Sequence, residues 1–370
     1  MCYKNANVTS RNQEHKRSII VRETVCVTGA SGYLGTHVVA ELLAQGYKVI
    51  ASVRDINSEG VHAMTKAYEE GMFKVMAADF TVAHSLDEAL AQSDFLIYCA
   101  ATTALGFTND VNVPQAHQSA NIIGTGNMIQ SIKRCKNLKK VVYSSSMASV
   151  FRSDVADDHL YDESDWNNDD KANSEPYFYS KTQAELMLSA LYDQDDPNTL
   201  PALVRFNPSV LMGPVKVASH QNSSISILRN LLNARSGGCP RLYYSIADVR
   251  DVARIYVEAL HNPSAKGRYL LPGKSISLLA IAQIVAQHFP EYKMPTRELK
   301  DTFVYALASH NTGLTTAYLD KFLGIEHRFN DSKLRRDFIE PYCIDLVQTI
   351  KDSVASIQAI EQQAVALNVS

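Results

Sequence analysis

No run of eighteen apolar residues occurs in the 370-residue chain, so no segment has the length that a membrane-spanning helix needs. The six cysteines (Cys2, Cys26, Cys99, Cys135, Cys239, Cys343) include no Cys-x-x-Cys pair, which argues for a reducing compartment rather than a disulfide framework. Eleven histidines form no His-x-x-x-His or His-Cys cluster, so no metal is expected, and His84, His117 and His220 read as surface or loop residues. Basic tracts interleaved with aromatics are missing as well. A net charge of −3 gives the molecule no pull toward nucleic acid or an anionic membrane. There is no internal repeat and no low-complexity tract. Residues 1–23 are polar and lack the apolar core of a secretory signal, so they read as a flexible tail, and the protein as cytoplasmic.

What is present, 46% hydrophobic and 20% charged residues, suits a globular protein of one large domain or two smaller ones. From Thr24 to Ser146, short apolar runs alternate with amphipathic stretches. The runs begin at Val25, Val49, Phe73, Phe95 and Lys140, and a long helical pattern spans Ala120 to Lys133. Continuous apolar strands separated by helices predict an α/β fold with a doubly wound parallel sheet. The segment from Phe151 to Ser174 is acidic, carries the one tryptophan, Trp166, and reads as a long loop. Pro176 opens a helix, Ala202–Phe206 is a further strand, and helices are expected near 224–234, 250–261, 277–289 and 343–365.

A glycine turn follows the first strand and opens a helix: Gly29-x-x-Gly32-x-x-Gly35. The first glycine allows a tight turn, the second a close approach of backbone to a pyrophosphate, the third the packing of helix on strand. Backbone N–H groups at the helix start then meet phosphates. A site for NAD would place a carboxylate at the end of the second strand. Here Val53 stands there, followed by Arg54, whose guanidinium can clamp a 2′-phosphate. NADP(H) is therefore the expected cofactor, with Asp55 directed away.

Tyr177 and Lys181 lie four residues apart, one helical turn, so phenol and ammonium project from one face. A phenol ionises near pH ~10, and bringing it to neutrality takes about 4 kcal/mol, which a fixed cation can supply. Ser144-Ser145-Ser146 ends the fifth strand, at the carboxyl edge where such sheets bind ligands. Strand-end hydrogen bonding accounts for Ser144; a serine hydroxyl there can also hold a substrate oxygen while Tyr177 gives its proton. Tyr179 has Gln183 four residues on and is set aside.

These segments, with Asp79-Phe80, Asn121–Thr125, Asp162–Trp166, Asn207–Pro214 and Asp248–Ala253, resemble an extended short-chain dehydrogenase/reductase of the dihydroflavonol reductase and cinnamoyl-CoA reductase-like group, its aldehyde and ketone reductase branch included. The resemblance implies a Rossmann domain over 24–206 and a smaller C-terminal α+β substrate-binding region over 207–370, part of which returns to the Rossmann sheet. By position it implies Ser146 as the substrate-polarising serine, Tyr177 as proton donor and Lys181 as its partner. Gly29, Ser31, Gly32, Tyr33, Leu34 and Gly35 would contact the pyrophosphate and Arg54 the 2′-phosphate. Asp79 and Phe80 would flank the adenine, Ala100, Ala101 and Thr102 the ribose, and Pro208 the nicotinamide. The expected function is NADPH-dependent reduction of an aldehyde or ketone carbonyl, by a monomer or homodimer acting on a small molecule. A 3β-hydroxysteroid-type dehydrogenase, a nucleotide-sugar epimerase or dehydratase, and a non-enzymatic NADP-sensing protein stay open as alternatives. Phe151 stands where flavonoid reductases carry an asparagine, and the cinnamoyl-CoA signature is absent, so neither plant substrate is supported. Phe107, Phe151, Met212, Tyr243 and Tyr244 are candidates for an apolar pocket.

Overall fold

The computed structural model describes residues 23–69, 71–101, 118–168, 175–194, 199–234, 237–308 and 315–369. Five strands come first: β1 (Thr24–Thr28), β2 (Lys48–Val53), β3 (Phe73–Ala77), β4 (Phe95–Tyr98) and β5 (Lys140–Ser144). Their apolar runs are continuous because helices cover both faces of the sheet; β4 and β5 are buried at every position. Edge strand β3 is half exposed and tolerates an exposed Lys74 as its second residue. In place of one long helix at 120–133 there is a π-helical turn, Gln118–Ile123, that continues as the α-helix Gly124–Arg134.

The acidic segment holds β6 (Leu160–Tyr161), and β7 (Ala202–Pro208), β8 (Val210–Met212), β9 (Gly238–Cys239) and β10 (Tyr243–Asp248) follow. Then come β11 (Gly267–Leu271), β12 (Lys274–Ser277), β13 (Arg297–Glu298) and β14 (Arg328–Phe329). Seven strands form one sheet in the order β11-β7-β5-β4-β1-β2-β3. Every pairing in it is parallel. The strand order reverses at β1, which pairs with β2 on one side and β4 on the other. That reversal opens a crevice at the carboxyl ends of the strands, where open α/β sheets take their ligands. The glycine turn, Arg54, Ala100, Ser144–Ser146 and Pro208 all follow or end strands on this edge.

A second layer is built from a three-stranded sheet, β12-β10-β8. The C-terminal helix Leu346–Val369 packs on β10 and on the helix Leu278–His288. The helix Val249–Glu258 lies against the helix Tyr33–Ala44 and buries Val252, Ile255 and Tyr256. The two layers thus share one apolar core rather than meeting at a polar seam.

Candidate active site

The glycine turn is held open by geometry that only glycine fits. Gly29 adopts φ +62°, and a Cβ there would meet the Ala100 Cα at 2.9 Å. A Cβ on Gly35 would lie 2.1 Å from the Gly29 carbonyl oxygen, so the helix Tyr33–Ala44 can start this close only without one. Gly32 is the N-cap of that helix and offers no side-chain cap, which leaves the first-turn N–H groups free for an anion. This cradle fits a dinucleotide pyrophosphate.

One segment braces it from behind. Tyr33 donates its hydroxyl to the Gly213 carbonyl (2.9 Å), His37 Nε2 bonds Pro214 O (2.9 Å), and His220 Nε2 bonds Ser31 O (3.1 Å). His220 is therefore buried and hydrogen-bonded rather than a surface residue, and burial lowers its pKa. His84 is exposed, while His117 lies outside the described residues.

Val53 closes β2, and exposed Arg54 lines the lip of the cavity described below. Phe80, Ala100, Ala101 and Pro208 line it too. Asp79 does not. Its carboxylate is taken up by the Thr81 N–H (2.9 Å) and Oγ1 (2.7 Å), which hold its pKa below the usual range. Asp55 accepts from Asn57 N (2.9 Å) and stays clear of the cavity. Thr102 and Phe107 lie outside the described residues.

The three serines that end β5 have separate partners. Ser144 Oγ accepts from Tyr256 Oη (2.8 Å) and Ser145 Oγ donates to Glu185 (2.6 Å), both buried. Ser146 is only half buried. It opens the 3₁₀ turn Met147–Ser149, where its Oγ accepts from Ala148 N (3.1 Å), and it is hydrogen-bonded to Tyr177. Tyr177 stands in the first turn of the helix Pro176–Gln194, and Lys181 one turn on.

Lys181 is not on a solvated face: it is 2% exposed, with Nζ donating to the Ser144 carbonyl (2.9 Å) and lying 5.7 Å from the Tyr143 ring centre. Burial pushes its pKa down to about 8, and the Glu185 carboxylate pulls the other way. Tyr177 departs from the sequence expectation. Burial raises its pKa, and the Ser146 hydrogen bond is what lowers it; the ammonium points to Ser144 instead of acidifying the phenol. A raised phenol stays protonated at neutral pH, the state a proton donor needs.

A buried ion pair that sequence reasoning missed ties these pieces together. Glu185, one turn beyond Lys181, accepts from Ser145 (2.6 Å), Ser149 (2.6 Å) and Asn207 (2.8 Å) and pairs with Arg268 (2.9 Å). Both charges are nearly sealed from solvent, Glu185 at 0% and Arg268 at 4% exposure. Arg268 comes from β11, donates to the carbonyls of Ser149, Glu163 and Asp165, and stacks on Trp166 at 3.8 Å. The acidic loop is thereby clamped onto the turn that carries Ser146. The spacing Tyr177, Lys181, Glu185 was the available signal: a third polar group at four-residue intervals on one face.

One cavity of about 650 Å³ runs from the glycine turn past Ser146, Tyr177 and Lys181. Beyond Tyr177 its wall is apolar, with Phe151, Phe178, Leu211, Tyr243, Tyr244 and Phe322. Of the expected pocket residues, Phe151, Tyr243 and Tyr244 line it, whereas Met212 is sealed in the core at 0% exposure. Among the described residues, no helix is long and apolar enough to cross a membrane.

Comparison with known proteins agrees with this geometry. Residues 25–271 match the family described as "NAD dependent epimerase/dehydratase family". A dihydroflavonol 4-reductase of Gerbera hybrida is 30% identical over 292 residues, 74% of this chain and 75% of that one. Cinnamoyl-CoA reductase 1 of Petunia hybrida is 28% identical over 279 residues, 74% and 80% of the two chains. The crystal structure of Gre2 in complex with NADPH from Candida albicans superposes with TM-score 0.74 at 25% identity, covering 91% of this chain and 99% of the other. A seven-stranded parallel sheet, its glycine turn at the strand-order reversal and these matches make one case: the chain belongs to the NAD dependent epimerase/dehydratase family, as an oxidoreductase of its extended short-chain dehydrogenase/reductase branch.

Proposed function

We propose that the protein uses NADPH to reduce the carbonyl group of an aldehyde or ketone. The observation that carries this reading is the Ser146–Tyr177 hydrogen-bonded pair, opening onto the same cavity as the glycine turn. Residues Gly29 to Gly35 would hold the pyrophosphate, Arg54 the 2′-phosphate, Phe80 and Ala100 the adenosine, and Lys181 and Pro208 the nicotinamide riboside. NADPH rather than NADH is favoured because Val53 and Arg54, not a carboxylate, follow β2 on the cavity's lip. When bound, the nicotinamide supplies the hydride.

The chain's own residues manage the proton. Ser146 and Tyr177 present two O–H groups to one carbonyl oxygen, polarising it and holding it in place. Tyr177 then donates its proton to that oxygen as negative charge develops. Burial keeps the phenol protonated beforehand, and the Ser146 hydroxyl, the group that lowers the phenol's pKa, stabilises the phenolate that remains. Residues 24–206 serve as the cofactor domain and most of 207–370 as the substrate-binding region, with β11 reaching back into the main sheet.

The test is Tyr177→Phe. Turnover should fall by about 100- to 10,000-fold, the range general acids contribute, while NADPH binding measured by fluorescence titration stays close to that of the parent. Retained turnover would mean that the proton comes from elsewhere.

A further inference from the structure

Past Tyr177 one polar ring interrupts the aromatic wall. His327 packs against Phe151 (4.8 Å between ring centres), Phe322 (5.3 Å) and Tyr161 (5.6 Å). Its Nε2 lies 3.1 Å from the Lys321 carbonyl oxygen. A carbonyl only accepts, so Nε2 carries the hydrogen, and in the neutral ring Nδ1 is left as an acceptor. Burial lowers the pKa of the ring, which favours that neutral form. Nδ1 makes no hydrogen bond to a described residue, yet it is not one of the buried polar atoms shut off from solvent. His327 lines the main cavity and an adjoining hollow of about 520 Å³, the space within reach of its solvent-accessible ring nitrogen. Nearby, the Tyr244 and Tyr318 hydroxyls are occupied with each other.

We propose that His327 is a specificity-determining residue that accepts a hydrogen bond from an O–H or N–H group on the end of the substrate remote from the carbonyl. The proposal rests on the reductase reading for where the carbonyl sits, against Ser146 and Tyr177. Between the two ends, the substrate's body lies flat and apolar along Phe151, Phe178 and Phe322. A site built to pair with a donor rejects the analogue that lacks one, because the acceptor is desolvated without a partner. A methyl ether is rejected too: it sets one lone pair against another.

Benzylacetone, its para-hydroxy derivative and its para-methoxy derivative test this. All three share a carbonyl and a ring, and only one has a donor at the far end. Their binding to the protein saturated with NADP⁺ is measured by calorimetry, and their turnover by NADPH oxidation, for the parent, His327→Phe and His327→Gln. The parent should favour the hydroxy probe by about tenfold in affinity and kcat/KM, the size of one neutral hydrogen bond. His327→Phe should erase that preference, and His327→Gln should keep part of it, since its amide oxygen also accepts. Equal affinity of the three probes for the parent, or an undiminished preference in His327→Phe, overturns the proposal. Selective binding of the hydroxy probe with no NADPH oxidation by any carbonyl overturns the reductase reading instead and leaves the acceptor standing.

Discussion

Replacing Lys181 with methionine should yield a protein that is inactive and yet more stable at neutral pH. The lysine is 2% exposed, and burial lowers its pKa from 10.5 to about 8. The folded protein therefore holds this proton less tightly than the unfolded chain does. Below pH 8 the side chain is charged in both states and the penalty is fully present, about 3 kcal/mol for a displacement of this size. As pH climbs from about 8 toward 10.5 the folded lysine is already neutral, the penalty fades, and stability rises. Methionine has similar length and no charge, so it escapes the penalty. It forfeits the hydrogen bond to the Ser144 carbonyl, about 1 kcal/mol. Glu185 keeps Arg268, Ser145, Ser149 and Asn207, so it is not stranded. The net gain is about 2 kcal/mol at neutral pH, shrinking to nothing or to a small loss near pH 10.5. Urea denaturation of both proteins at several pH values between neutrality and 10.5 reads the difference, and shared alkaline effects cancel in it. A variant less stable than the parent at neutral pH, with the gap closing as pH rises, would mean that the ammonium is a net stabiliser. Strain of this sort is expected where function and stability compete.

Two other substitutions probe the cavity lip and the buried pair. Arg54→Ala should weaken NADPH binding by about 10- to 100-fold, one charge-assisted contact, while leaving NADH binding unchanged; a preference for NADPH that survives would refute the role given to Arg54. Glu185→Gln removes the carboxylate that raises the Lys181 pKa, so the alkaline fall of kcat/KM should begin at lower pH than in the parent. It should also cost about 3–5 kcal/mol of stability, because Arg268 is left buried without a counter-charge. A uniform drop in kcat/KM at every pH would reduce Glu185 to a structural support.

The readings that succeeded are those in which a residue's neighbours in sequence determine its surroundings. β1 to β5 lie within a residue or two of their apolar runs, because a strand covered on both faces carries its burial in its own composition. The glycine turn is legible for a similar reason: strand, turn and helix are consecutive, and Gly35 is crowded by Gly29 and Ala30 of that same unit, while only Gly29 is crowded from afar, by Cys99 and Ala100 just after β4. The five-residue helix Asp87–Ala91 and the helix Thr316–Phe322 escaped notice because each spans too few turns to show a period; the second is marked chiefly by Thr315, which accepts from Tyr318 N at 3.1 Å.

Polar groups were misread where their partner lies far along the chain. His220 looks like a loop residue until Ser31, 189 positions earlier, is placed beside it. Glu185 occupies the stripe of Tyr177 and Lys181, but a glutamate on a helix is taken for a solvated one unless a guanidinium is at hand, and Arg268 lies 83 residues away on the edge strand of the sheet. Such a carboxylate can be buried only because that strand returns, since an unpaired charge there would cost several kcal/mol. The pairing of β11 with β7 is thus a condition for the charge beside Lys181, and the C-terminal half of the chain sets the electrostatics of the helix that carries Tyr177. A disturbance of β11 therefore reaches Tyr177 without touching it, through Arg268, Glu185 and the turn at Ser146.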